Sequence, residues 1–292
     1  MTCPTRPALR WHGGKWRLAP WIIAHLPPHR TYVEPFGGAA SVLLRKSRSY
    51  AEVYNDLDDE PVTLFRVLRD PASAELLREQ LRITPFARAE FMGAYEPTDD
   101  PIEKSRRLII RSFMGFGSNA HASAEKGHRS TGFRASSSRS GTTPAHDWVN
   151  YAEALPALIA RLRGVVIESR PAIDVMRQHD RVDTLHYVDP PYLHSTRAQG
   201  NKYDLGWRMY RHEMTNDQHA ELLAFLTAAE GMVVLSGYPA PLYDQRLEGW
   251  RQVETAARAD GALARTEVLW INPRAAEALD AEALPLLAGG AA

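Results

Sequence analysis

Short apolar runs recur along this chain, each stopped by an acid, a glycine or a proline, with stretches of helical spacing between them. Thr31-Tyr32-Val33-Glu34, Ala51 to Asn55, Gly164 to Glu168, Thr184-Leu185-His186 and Met232 to Leu235 have the length and residue types of buried strands. Trp250 to Thr255 and Arg265 to Ile271 read as a terminal antiparallel pair, which makes seven candidate strands. Helices are predicted over Leu18 to His25, through Arg45, over Asn150 to Leu162, through Met176 and through Ala229. The last is opened by the capping box Thr215-Asn216-Asp217-Gln218. Strands alternating with helices imply an α/β fold, a mostly parallel seven-stranded sheet with helices on both faces.

One long stretch departs from that alternation. From Glu60 to about Phe113 apolar residues (Val62, Phe65, Leu68, then Leu76, Leu77, Leu81) recur at helical spacing, and Pro71, Pro85 and Pro101 are placed to start successive helices. From Gly115 to Asp147 the chain turns rich in Ser, Gly, Thr and His. Between Pro101 and His146 eight cations (Lys104, Arg106, Arg107, Arg111, Lys126, Arg129, Arg134, Arg139) face only Glu103 and Glu125. This predicts a helical and basic insertion over 62–160, inside a discontinuous catalytic domain of 1–61 and 161–274. The alanine-rich tail, 275–292, is expected to fray.

Composition narrows the class. A hydrophobic content of 44% over 292 residues supplies an ordinary globular core. The single Cys3 excludes an internal disulfide and a cysteine-based metal cluster, and no metal is expected. Without a signal peptide or a membrane-length apolar run, a cytoplasmic location is expected. The formal net charge of +0 argues against indiscriminate coating of nucleic acid, so the basic stretch is a local asymmetry.

The chemistry concentrates after one strand, at Asp189-Pro190-Pro191-Tyr192. Two prolines end the strand, because proline has no N–H for a sheet ladder. A strand, a turn and a core tyrosine would account for the pattern; so would a site, since ligands of open α/β sheets bind outside the strands' carboxyl ends. The chemistry suited to these residues is transfer to an exocyclic amine. Asp189 and the Pro190 carbonyl can each accept an N–H of adenine N6, focusing its lone pair outward, and Tyr192 can stack on an extruded base.

A second constellation suits a cofactor. Glu34 is followed by Pro35-Phe36-Gly37-Gly38, a strand–glycine loop–helix opening, and Asp56 lies at the spacing from which an acid reaches a ribose hydroxyl. The G-x-G-x-x-G fingerprint is absent, and a Glu34 carboxylate would repel a pyrophosphate. S-adenosylmethionine, cationic and without phosphate, fits better than NAD. Trp11-His12-Gly13-Gly14-Lys15 forms a tight turn that is either a plain N-terminal turn or a ligand contact. His194 to His212 interleaves Arg197, Lys202, Arg208 and Arg211 with Tyr203, Trp207 and Tyr210, suiting a lid over a base and its phosphates or over another substrate.

Taken in order, these pieces resemble the Dam-type adenine-N6 DNA methyltransferases (D12 class, alpha group) of phages and restriction-modification systems. The resemblance covers about residues 9 to 273 and rests on Trp11-His12-Gly13-Gly14-Lys15, Val33-Glu34-Pro35-Phe36-Gly37-Gly38, Asn55-Asp56 and Asp189-Pro190-Pro191-Tyr192. Thr266-Glu267-Val268-Leu269-Trp270 is similar to the closing strand of phage members. It implies a Rossmann-like methyltransferase fold and methyl transfer from S-adenosylmethionine to a flipped-out adenine in double-stranded DNA. It further implies that Trp11, Lys15, Asp56 and Asp189 contact the cofactor, with Phe36, Gly37 and Gly38 lining its pocket. Gly132 through Trp148 does not match the recognition hairpin of GATC-methylating members, so no recognition sequence is implied. Arg129, Arg134, Arg139, Lys202 and Arg211 are the expected DNA contacts. Cytosine-N4 methylation, RNA adenine methylation and a non-catalytic DNA-binding scaffold are the rival readings; cytosine-C5 chemistry would need a cysteine nucleophile.

Overall fold

Seven strands form one sheet in the computed structural model: β1 (Thr31–Glu34), β2 (Ala51–Asn55), β3 (Val165–Glu168), β4 (Thr184–Val188), β5 (Met232–Gly237), β6 (Arg251–Arg258) and β7 (Ala264–Ile271). The structure describes residues 4–117, 120, 132–135, 142–196, 211–258 and 264–288. The strand order is β3-β2-β1-β4-β5-β7-β6. The first five are parallel, and β7 runs antiparallel between β5 and β6. The chain builds β1, β2 and β3 outward in one direction, then returns to lay β4 beside β1. That reversal leaves a crevice at the carboxyl ends of β1 and β4, the usual ligand position in such sheets.

Alternate side chains of each strand serve opposite faces. Tyr32, Tyr54, Leu185, Tyr187, Val234, Leu269 and Ile271 pack on one face against the helices between residues 19 and 162. Val188, Val233, Leu235, Val268 and Trp270 pack on the other against helices Ala172–His179, Asn216–Ala228 and Pro241–Arg246. The capping box at Thr215 is formed as expected, and Asp70 and Asp100 cap the helices that start at Pro71 and Pro101.

Four expectations change. Pro85 starts no helix: it follows Thr84, the C-cap of helix Pro71–Ile83, and the next helix is Arg88–Gly93. Proline cannot continue a helix and commonly follows its cap. The tail does not fray at Pro273, because helix Pro273–Ala288 begins there, buries Ala275 in the core and pairs Asp280 with Arg251 of β6. The expected limits of the insertion fall inside helices Asp59–Arg69 and Tyr151–Leu162, whose buried faces share one core with the sheet. Arg161 and Lys46 both bind Glu52 of β2, at 2.6 and 2.7 Å, locking the last of those helices to the sheet.

The fourth concerns charge. Lys104 pairs with Asp59, Arg106 with Glu90 and Glu103, Arg107 with Glu103, and Arg111 with Glu60. The four cations of helix Pro101–Met114 are therefore neutralised, largely by acids distant in sequence. Of the basic stretch, Lys126, Arg129 and Arg139 lie outside the described residues, as does Lys202. No helix among the described residues is long and apolar enough to cross a membrane.

Candidate active site

The glycine loop after β1 is shaped by its neighbours. A Cβ on Gly37 would stand 2.1 Å from the Tyr54 ring, so only glycine fits. Gly38 has a φ of +47°, and a Cβ there would lie 2.9 Å from Trp11 Nε1. Tyr54 donates its hydroxyl to the Gly38 carbonyl at 2.8 Å, and Gly37 N donates to the Asn55 carbonyl at 2.8 Å. Asp56 completes the clamp, Oδ2 accepting from Gly38 N at 2.7 Å and Oδ1 from Asp58 N at 2.8 Å.

Glu34 ends β1 beneath this loop and is 3% exposed. Tyr32 Oη at 2.7 Å and Leu43 N at 3.0 Å both donate to Oε2. Burial outweighs those bonds and raises the carboxyl to about 8. This corrects the sequence reading, in which Glu34 was a standing negative charge. Near neutral pH it is mostly protonated in the unliganded protein, and a cation beside it would favour the anion.

Asp189 follows β4, with each oxygen held. Lys15 Nζ lies 2.8 Å from Oδ2, and Ser236 Oγ donates to Oδ1 at 2.8 Å. Ser236 is itself 3.2 Å from Tyr187 Oη. Lys15 also donates to the Gly13 carbonyl at 2.9 Å, so the N-terminal turn delivers an ammonium to the end of β4. The prolines behind Asp189 add no competing donor.

Trp11, Lys15, Glu34, Phe36, Gly37, Gly38, Asp56, Asp189 and Pro191 line one cleft, together with Leu57, Met214 and Gln218. It is an open cleft that encloses about 140 Å³. Pro190 and Tyr192 are not among its lining residues. Tyr192 is 8% exposed: its ring meets Tyr238 edge-on at 4.4 Å, Lys15 sits 4.8 Å from its centroid, and its hydroxyl donates to Glu267. The expectation of a tyrosine offered for stacking does not match this packed ring.

Two other assignments also meet competing roles. Arg211 lines the cleft and pairs with Asp59 at 2.6 Å and Asp58 at 3.3 Å, so it is already matched by acids rather than offered to phosphate. Arg134 donates its backbone N–H to the Met114 carbonyl and its guanidinium to the Phe113 carbonyl at 3.2 Å, closing the end of helix Pro101–Met114. Sequence reasoning missed Ser236 as a site residue and assigned Glu267 no role. Each is a polar position within an apolar strand, the one signal that could have marked it.

A model of the D12 class N6 adenine-specific DNA methyltransferases matches residues 11–227. The chain belongs to that family. The match begins at Trp11 and includes the glycine loop, Asp56 and Asp189. Similar to part of this chain are two proteins named DNA adenine methylase, from two strains of Vibrio cholerae serotype O1. Each is 26% identical over 116 residues, 38% of this chain and 42% of the relative. The similarity thus spans less than half the length of those relatives. Ser236 and Glu267 lie beyond the family match.

Proposed function

We propose that this methyltransferase transfers a methyl group from S-adenosylmethionine to N6 of an adenine extruded from duplex DNA. The observation that carries the reading is Asp189, aimed by Lys15 and Ser236 into the cleft that also holds the glycine loop. Family membership makes a methyl donor necessary, and the cleft suits a cationic one without phosphate. Glu34 gains its charge most readily beside a cation, and Asp56 lines the same cleft as the glycine loop it clamps, where a carboxylate suits ribose hydroxyls. Trp11, Phe36 and Leu57 supply apolar walls for the adenosine.

The bound cofactor supplies an electrophilic methyl carbon on a sulfonium, whose sulfur keeps the bonding pair on transfer. Asp189 accepts an N6–H of the target base and draws its nitrogen toward tetrahedral geometry. Ser236 and Lys15 fix the plane of that carboxylate, so little reorganisation is needed at the moment of reaction. The Tyr192 ring, 4.8 Å from Lys15 Nζ, supports that ammonium. An adenine inside the duplex cannot present N6 to this depth, hence the extrusion. Recognition of the surrounding sequence is assigned to the segment between helices Pro101–Met114 and Pro144–Val149, which holds Arg129 and Arg139.

The test is incubation of duplex DNA with protein and methyl-labelled cofactor, digestion, and nucleoside chromatography. Label is expected in N6-methyladenine and absent with Asp189→Ala. Label in N4-methylcytosine or nowhere overturns the proposal.

A further inference from the structure

Three carboxyl groups reach one end of the sheet on one face: Glu34 from β1, Asp189 after β4 and Glu267 from β7. The proposed reaction employs the first two. Glu267 is 2% exposed, and a carboxyl is rarely buried so deeply without a partner. Its Oε1 accepts the Tyr192 hydroxyl and lies 3.6 Å from Lys15 Nζ. Lys15 Nζ is in turn 2.8 Å from Asp189 Oδ2. One ammonium thus stands between two carboxyls, the nearer one facing the cleft and the farther one lying behind it.

Methyl transfer creates a proton problem that this row can solve. Once N6 bonds the new carbon, it carries one proton too many, and Asp189 is the acceptor already in place. We propose that Glu267 is a positioning carboxyl that anchors Tyr192 and Lys15 and takes up, through Lys15, the proton that Asp189 receives from N6. In that step one N6–H bond breaks and its pair returns to nitrogen. The proton passes to Asp189; Lys15 takes it from Asp189 while handing one of its own to Glu267. Lys15 ends as an ammonium, Asp189 as a carboxylate and Glu267 as a neutral acid, so no group is left over. The inference rests on the functional reading above and extends it to a residue outside the family match.

The surroundings of Glu267 suit a proton acceptor. Burial raises its carboxyl above the ordinary range, Lys15 opposes that rise, Asp189 adds to it, and the bonds from Tyr192 and Lys15 lower it again. The groups facing it are Lys15 from the N-terminal turn, Asp189 and Tyr192 from the segment after β4, Tyr187 from β4 itself and Tyr238 from the segment after β5. Lys15 is the cation that touches it among the described residues. A carboxyl made more basic than usual, yet still beside an ammonium, accepts a proton more readily than an exposed one.

The experiment compares wild type, Glu267→Gln and Glu267→Asp in single-turnover methylation across pH, with calorimetric cofactor affinity and DNA affinity alongside. Glu267→Gln keeps an acceptor for the Tyr192 hydroxyl but cannot take a proton. It should lower the single-turnover rate about 100-fold, the lower end of the range for proton-transfer groups. It should also abolish the acid limb of the pH–rate profile and change both affinities less than threefold. Glu267→Asp should recover that limb at a reduced rate. Independently of turnover, infrared spectra of the unliganded protein should lose one titrating carboxyl band in Glu267→Gln; Glu34→Gln, which removes a different band, is the control. A Glu267→Gln protein with the parent's rate and pH profile overturns the inference. So does one whose rate falls only in step with cofactor affinity, which would mark a purely structural residue. Wild-type protein that labels no adenine at all would instead defeat the functional reading, and the two failures are thereby distinct.

Discussion

Lys15 Nζ lies 2.8 Å from Asp189 Oδ2, joining the N-terminal glycine turn to the end of the central strand β4. The side chains are 6% and 16% exposed, so the pair is mostly withdrawn from water. Removing one partner of such a pair is far more damaging than its net contribution suggests, because an uncompensated charge remains.

Lys15→Met keeps the stem and deletes the charge, leaving Asp189 and Glu267 to face each other. Loss of stability of about 3–5 kcal/mol is expected near pH 8. The loss should shrink as pH falls, since the Glu267 carboxyl, raised by burial, stabilises the fold most when protonated. Urea denaturation at pH 5 and pH 8 measures this, and an equal deficit at both values would contradict it.

Gly37→Ala sets a Cβ against the Tyr54 ring, which is buried and packed edge-on to Phe65 at 4.9 Å. Neither ring has space to yield, so the substitution should lower stability by about 1–3 kcal/mol and weaken cofactor binding. Gly93→Ala, where nothing lies within 4 Å of the new Cβ, is the matched control and should be neutral or slightly stabilising. Thermal unfolding of the two variants decides whether space or glycine content matters.

Glu34, with its carboxyl raised to about 8, links the fold to pH and, in the proposed function, cofactor binding as well. Its contribution to stability is complete below the ordinary glutamate range and declines as pH rises toward 8, because the unfolded chain ionises first. Cofactor affinity should run the other way, rising with pH up to about 8 as the anion forms to meet the cation. Calorimetry at pH 7 in two buffers of different ionisation heat should detect proton release on S-adenosylmethionine binding, and none in Glu34→Gln. Binding without proton release in the wild type would remove the link.

Arg211 holds Asp58 and Asp59 at the cleft wall. Arg211→Ala should change stability by less than about 1 kcal/mol, because its closer partner Asp59 is half-exposed, while quickening cofactor dissociation. The salt dependence of DNA affinity should stay as in the parent. A slope shallower by about one would instead reveal a phosphate contact.

The sheet was legible in the chain because its evidence is local. Short apolar runs closed by Glu34, Asn55 and Asp189 declare parallel strands buried on both faces, and the glycine loop and Asp-Pro-Pro-Tyr follow those strands directly. Trp11, Asp56 and Asp189 could be named for the same reason, each lying within a short motif. Charge misled, because a count along the chain assumes that neighbours in sequence are neighbours in space. Arg106 and Arg111 looked unopposed until folding brought Glu90 and Glu60 against them.

What the sequence by itself determined is the set of strands, the order of helices and the acid with its prolines after β4, each specified by residues within one short segment. Tertiary structure alone decided the protonation of Glu34, the burial of Tyr192 and the convergence of Ser236 and Glu267 on Asp189 and Lys15. Those depend on desolvation and on the antiparallel return of β7, which carries Glu267 back to the carboxyl ends of strands laid down far earlier in the chain. Distances across a sheet are set by pairing, and no short stretch of residues records them.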